Sequence, residues 1–123
     1  MRDIIKYVFD EASFFEMTKF FGRGIITGFA RINGYSVGIL ANDSNFYAGS
    51  MSADGAKKTA RFVRTCDTFN IPIVSLVDEP GFLIGPEAES QATILYGTEA
   101  VLAVTESTVP WSTVMIRKSF GVA

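Results

Sequence analysis

Ile71-Pro72-Ile73-Val74-Ser75-Leu76-Val77-Asp78-Glu79-Pro80-Gly81-Phe82-Leu83-Ile84-Gly85-Pro86 is the stretch on which the fold turns. Residues 71–77 form a nearly continuous apolar run, the pattern of a strand buried on both faces. Such a strand sits inside a sheet flanked by helices. The run gives way at Asp78 and Glu79 to a loop spanning 78–86. Two prolines stiffen that loop and two glycines hinge it.

Just upstream, residues 54–69 read as a helix. Ala56, Ala60, Val63 and Cys66 line one face, flanked by Phe62 and Phe69, while Lys57, Arg61 and Arg64 line another. Ser52 or Asp54 is placed to cap its N-terminus. Downstream, residues 87–106 read as one helix, apolar on most sides and therefore expected to be buried. Pro110 stops any helix before it, and Trp111 to Arg117 reads as the last strand. Farther upstream, Asn33-Gly34 separates the apolar runs 25–32 and 35–41. That pair predicts a hairpin, because both central turn residues must accept positive φ. Residues 3–9 have the spacing of a short helix, and 14–21 is an apolar piece of either type. The order hairpin–helix–strand–helix–strand predicts an α/β fold with right-handed crossovers.

Composition narrows the chemistry. The chain has 123 residues, 48% hydrophobic and 20% charged, which suits one folded domain rather than a disordered segment. There is no histidine, so imidazole-based hydrolysis and His-ligated metal sites are excluded. The single cysteine, Cys66, excludes an internal disulfide and a Cys-based zinc cluster. It falls on an apolar stripe, where a small core residue and a nucleophile are the two readings. One thiol suits a reducing compartment, so the expected location is cytoplasm or mitochondrial matrix. The net charge of −2 gives no sign of nucleic-acid binding, although it is unevenly spread. Residues 1–64 carry nine Lys/Arg and six Asp/Glu, and residues 65–123 carry two and seven. No stretch approaches the roughly eighteen apolar residues of a membrane span. Both ends look abrupt, and a fragment of a longer protein is expected.

Ligands of open α/β sheets sit beyond the carboxyl ends of the strands. Three loops meet that description, 42–53, 78–87 and 118–123, and each carries glycine. Glycine either serves a turn or lets a ligand reach the backbone, whose N–H groups can stabilise an oxyanion without a titrating side chain. Asp78, Glu79, Glu87 and Glu89 are either a general acid/base group or a solvated rim at a helix start. Lys57, Lys58, Arg61 and Arg64 are either a phosphate-holding face or a solvated one. Trp111 reads as core or interface.

Longer motifs carry a resemblance. They are Ala48-Gly49-Ser50-Met51, Lys58-Thr59-Ala60-Arg61-Phe62, Cys66-Asp67-Thr68-Phe69-Asn70-Ile71-Pro72-Ile73-Val74, Val77-Asp78-Glu79-Pro80-Gly81-Phe82-Leu83-Ile84-Gly85, Glu106-Ser107-Thr108-Val109-Pro110 and Arg117-Lys118-Ser119-Phe120-Gly121-Val122-Ala123. The chain resembles the C-terminal half of the carboxyltransferase (beta) subunit of biotin-dependent acyl-CoA carboxylases, the propionyl-CoA and acetyl-CoA carboxylase type. The resemblance covers nearly the whole chain. It implies a crotonase-like fold of ββα spiral turns, present here as a partial domain, with residues 1–123 forming the biotin-binding half. It implies transfer of a carboxyl group from carboxybiotin to the α-carbon of an acyl-CoA, with the biotin ring as base and backbone amides holding the enolate oxygens. On these residues the biotin oxyanion site is the Gly121-Val122-Ala123 turn, with N–H donors at Val122 and Ala123. Pro80, Gly81 and Phe82 wall the biotin pocket, and Gly49 and Ser50 match an Ala-Gly oxyanion loop of the superfamily. Implied partners are a biotin carboxyl carrier or biotin carboxylase subunit, the N-terminal carboxyltransferase half and further copies in a homo-oligomer, with no nucleic acid and no membrane.

Three departures stand out. Val122 replaces a common glycine, Glu79 a small or apolar residue, and Leu95-Tyr96-Gly97-Thr98-Glu99 a more basic segment. Two other functions fit the residues: an enoyl-CoA hydratase or isomerase of the same fold using Glu79 or Glu87, and a non-catalytic assembly half.

Overall fold

Asn33 and Gly34 take φ of 49° and 84°, and the chain reverses there. The flanking strands, β2 (Ile25–Ile32) and β3 (Tyr35–Asn42), pair antiparallel from Ile32 opposite Tyr35 to Ile25 opposite Asn42. This hairpin is as expected from the Asn-Gly signal. A computed structural model describes residues 1–121 and 123. Ahead of the hairpin lie helix α1 (Arg2–Val8) and strand β1 (Phe15–Met17), which pairs antiparallel with β2 and settles the type of the 14–21 segment. After it come helix α2 (Ala53–Thr68), strand β4 (Ile73–Glu79), helices α3 (Pro86–Ser90) and α4 (Thr93–Glu106), and strand β5 (Trp111–Ser119). The sheet runs β1-β2-β3-β4-β5, with β3, β4 and β5 parallel and joined through the helices.

Alternation in the strands sends side chains to two cores. Val37, Ile39 and Ala41 meet Ile5 and Phe9 from the α1 segment on one face, with Leu76 beside them. Ile73 meets Ala60, Phe62, Val63 and Cys66 of α2 on the other. The apolar stripe of α2 is thus its buried face, as its spacing predicts. Ser52 caps the helix, its Oγ accepting from the Gly55 N–H at 3.1 Å. The helix lies close to the sheet because Gly38 has no side chain: a Cβ there would stand 2.6 Å from Cys66 Sγ.

Three expectations change. The central strand is 73–79, not 71–77. The Ile71 N–H closes α2 on Cys66 O and Pro72 has no N–H, so the strand starts at Ile73. At the other end, pairing with β5 continues past an irregularity to Glu79 opposite Ser119. Asp78 and Glu79 therefore belong to the strand rather than the loop.

The single helix over 87–106 is two helices, broken at Ala92 with φ 56° and ψ 42°. Thr93 Oγ1 donates to Ala88 O at 2.8 Å, taking the carbonyl that Ala92 N–H would use in a continuous helix. Nor is α4 buried on most sides. Its small residues Gly97, Ala100 and Ala103 face inward, while Ile94, Leu95, Val101 and Leu102 are exposed. Small side chains let α4 lie close beside α2, and the large ones are left outside.

Candidate active site

The carboxyl ends of β3, β4 and β5 meet at one edge of the sheet, where parallel strands with helical crossovers put them. Hydrogen bonds tie the three following loops together. Met51 N–H donates to Gly81 O at 3.0 Å, and Leu83 N–H returns to Met51 O at 2.8 Å. Phe120 N–H donates to Glu79 O at 3.1 Å. Lys118 Nζ donates to Ala48 O, binding the 47–50 loop to the end of β5.

Asn42 is the hub. Its Oδ1 accepts from Asp78 N–H at 3.0 Å, and its Nδ2 donates to Glu79 Oε2 at 2.8 Å and to Gly49 O at 3.2 Å. One side chain thus joins β3, the 47–50 loop and β4. No sequence motif singles out Asn42. Its signal was present: Gly38, Leu40 and Asn42 alternate onto the α2 face, and the last of them is polar.

The acidic cluster divides in two. Glu87 and Glu89 are exposed on α3, as a solvated helix start would be, whereas Asp78 and Glu79 are buried. On opposite faces of β4 they have different fates. Arg117 Nη2 reaches Asp78 Oδ2 at 3.0 Å and the Lys118 N–H donates to Oδ1 at 3.2 Å. Arg117 above all holds the Asp78 carboxyl below the usual carboxylate range, against the effect of burial. Glu79 has no ion pair among the described residues. Burial pushes its carboxyl up to about 7, against the Asn42 hydrogen bond. Its Oε1 is buried without a partner among the described residues. In the sequence Arg117 and Lys118 stand out only as part of a motif, because their partner Asp78 is distant in the chain.

Of Pro80, Gly81 and Phe82, it is Gly81 that approaches the C-terminal segment. Gly81 has φ 131°, and a Cβ on it would come within 3.8 Å of Phe120 O. Phe82 turns its ring against α4, where a Cβ on Gly97 would meet Cε1 at 2.5 Å. Gly121 has φ 67° and nothing within 4 Å of its Cβ position, so its backbone is open to an approaching group. Ala123 borders a cavity under α4. Val122 lies outside the described residues.

Gly49 and Ser50 are differently placed. Gly49 N–H is spent on Phe46 O at 2.8 Å and Ser50 N–H on Tyr47 O at 2.9 Å. Gly49, at φ 91°, lets the loop touch β4, since a Cβ would stand 2.5 Å from Asp78 O. Their part in the site is to hold the loop against the strand.

The basic face is likewise divided. Lys58 is buried, and its ammonium donates to the carbonyls of Thr18, Phe21 and Ile25 at 2.7–3.0 Å. It serves the fold, not a phosphate. Lys57 lies over the Tyr96 ring at 4.0 Å, and Arg64 pairs with Glu99 at 2.7 Å. Cys66 is fully buried, and burial pushes its thiol up to about 12, which removes it as a nucleophile. Trp111 is half-buried and donates Nε1–H to Ser107 Oγ at 3.2 Å. Among the described residues no group of His, Cys, Asp or Glu is arranged to hold a metal, and no helix is long and apolar enough to cross a membrane.

Comparison with known proteins matches residues 1–123 to the carboxyl transferase domain family. The chain is 45% identical over 121 residues to the propionyl-CoA carboxylase carboxyltransferase subunit of Haloferax mediterranei, covering 98% of this chain and 23% of that protein. It is 47% identical over 121 residues to the propionyl-CoA carboxylase beta chain of Cereibacter sphaeroides, covering 98% of this chain and 24% of the relative. Among solved structures, the transcarboxylase 12S hexamer crystallised with methylmalonyl-coenzyme A and methylmalonic acid superposes with a TM-score of 0.89 at 41% identity. That match covers 93% of this chain and 22% of that one. The chain therefore spans about a quarter of the length of these relatives, and its α/β architecture is that of their crotonase-like domains.

Proposed function

Because the chain belongs to the carboxyl transferase domain family, we propose that it forms the biotin-facing half of an acyl-CoA carboxyltransferase. The observation that carries this reading is the contact of Glu79 and Gly81 with Phe120, which sets the Pro80-Gly81-Phe82 loop beside the chain just before the Gly121 turn at the strand-end edge. In this reading residues 1–123 are part of a C-terminal carboxyltransferase domain. The substrates are an acyl-CoA and the carboxybiotin of a carrier protein, and the protein works with a biotin carboxylase or carrier subunit, the N-terminal half and further copies of itself. The lone buried thiol supports a reducing compartment, cytoplasm or mitochondrial matrix.

The residues present fit a flat ureido ring. Gly81 and Gly121 open their backbones on one edge, where no Cβ stands in the way. Carboxybiotin, when bound, supplies the carboxyl group for transfer. The chain's own work is positional and electrostatic. The open Gly121 turn leaves its backbone free to face an oxyanion, a task that needs no titrating side chain. Arg117 and Lys118, braced on Asp78 and Ala48, place two positive charges just before that turn. They favour negative charge there and hold the turn against β4. Pro80 limits the motion of the facing loop.

The test is carboxylation by the full-length protein given labelled bicarbonate, ATP and its partner subunits. Label is expected on a short acyl-CoA, and none from the 123-residue chain alone, since the thioester's oxyanion site belongs in the N-terminal half. A full-length protein that labels no short acyl-CoA would defeat the proposal. Enoyl-CoA hydration lost in Glu79→Gln would favour a hydratase instead.

A further inference from the structure

Between α4 and the parallel strands lies a cavity of about 370 Å³. Gly97 and Ala100 of α4 face Ser75 and Val77 of β4 and Thr113 of β5 across it, and these small or short side chains leave it open, with Trp111 closing one side. The walls are mostly aliphatic, with Leu40 below and Val101 above. Two buried polar atoms on this cavity have no hydrogen-bond partner among the described residues: Glu79 Oε1 and Thr59 Oγ1. Both residues are 4% exposed. A buried polar atom left unpaired is destabilising, so two on one cavity imply that something else completes them.

We propose that this cavity is a binding site for a neutral aliphatic ligand with a carbonyl head, the head accepting hydrogen bonds from Glu79 and Thr59 and the chain lying along Leu40 and Val101. The volume falls in the range of small-ligand sites, which are likewise apolar with a few converging polar groups. The head must be uncharged. A carboxylate would meet the Glu79 carboxyl, and the cavity brings no cation to neutralise the pair. The polar contact is strongest while Glu79 keeps its proton and can donate it. Burial holds that proton to about pH 7. Among the described residues Lys118 on β5 is the charge acting on Glu79, and it opposes the effect of burial. Asn42 of β3, Thr59 of α2, and Gly97 and Ala100 of α4, which share the cavity, do not titrate. The cavity shares Phe82 and Ala123 with the biotin-facing edge, but the inference does not rest on the carboxyl-transfer reading, because its test reads binding and not turnover.

The probe is 2-nonanone, titrated calorimetrically into the full-length protein, with nonanoate as its charged counterpart. Saturable binding of the ketone is expected at pH 6, weaker by about tenfold at pH 8.5, where the donor is ionised. Nonanoate should bind at least about tenfold less tightly than the ketone at either pH. Glu79→Gln keeps a donor and should flatten the pH dependence. Val101→Trp fills the cavity from a half-exposed position and should abolish binding with an unchanged circular dichroism spectrum, which covers failure of the first variant to fold. Octanoyl-CoA competing with the ketone would identify an acyl thioester as the source of the carbonyl. Lack of competition would point to a free amphiphile. Absence of saturable ketone binding at pH 6, or binding that survives Val101→Trp, overturns the proposal.

Discussion

Glu79 and Lys58 are two buried ionisable side chains solved in opposite ways. Glu79 keeps its proton to about pH 7 against an ordinary value of 4.5, because burial disfavours the anion. The folded state therefore binds more protons than the unfolded chain between those values, and stability falls as pH rises from 4.5 to 7. Glu79→Gln removes that loss while keeping an oxygen for Asn42. The variant should match the parent near pH 4.5 and exceed it by up to about 3 kcal/mol at pH 8, as read by urea unfolding at both pH values. Lys58 instead matches its three N–H groups to three carbonyls. Lys58→Met strips partners from all three at once and should cost about 3 kcal/mol, seen as a lower unfolding midpoint. A midpoint shift no larger than that of an exposed lysine variant would contradict the structural role.

At the scale of elements, the break at Ala92 decides what α4 can do. A continuous helix over 87–106 would give the 93–106 segment a different direction and rotation. The break depends on a non-glycine residue at φ 56°, a conformation that costs an L-residue about 1–2 kcal/mol. Ala92→Gly relieves this, less the entropy glycine loses on folding, and should stabilise by about 0.5–1 kcal/mol. Thermal melts of the two proteins check this, and a lower melting temperature for the glycine variant would count against the left-handed assignment. The shift of β4 by two residues matters as much. It carries Asp78 and Glu79 out of a solvated loop and onto the two faces of the sheet. A change of that size in a strand's bounds alters which acids are buried, and with them the chemistry of the site.

For the molecule as a whole, the C-terminal third is the least covered. Ile94, Leu95 and Leu102 of α4 and Val114, Met115 and Ile116 of β5 are exposed together, and β5 is an edge of the sheet. Exposed apolar surface and an unpaired edge both invite association. The 123-residue chain by itself should self-associate at concentrations of about 100 μM, measured by sedimentation velocity. A single 13.4 kDa species over the whole concentration range would show that this surface is tolerated in water.

Local residues were enough to determine the α/β class, the hairpin at Asn33-Gly34, the buried stripe of α2 and the family motifs around residues 78–86 and 117–123. These follow from periodicity and turn chemistry, which act over a few neighbours. The exclusion of imidazole chemistry needed only the absence of histidine. Tertiary structure alone decided the rest. Asn42 meets Asp78 and Glu79 across 36 and 37 positions, and Arg117 meets Asp78 across 39. Which acid is paired and which is left protonated depends on those distant partners and on burial, and neither is written in the local pattern. The same holds for Lys58: its spacing placed it with the basic residues of α2, and only packing against the 18–25 segment turned it inward. Desolvation and long-range hydrogen bonding set the charge state of each buried group, and both exist only once the chain has folded.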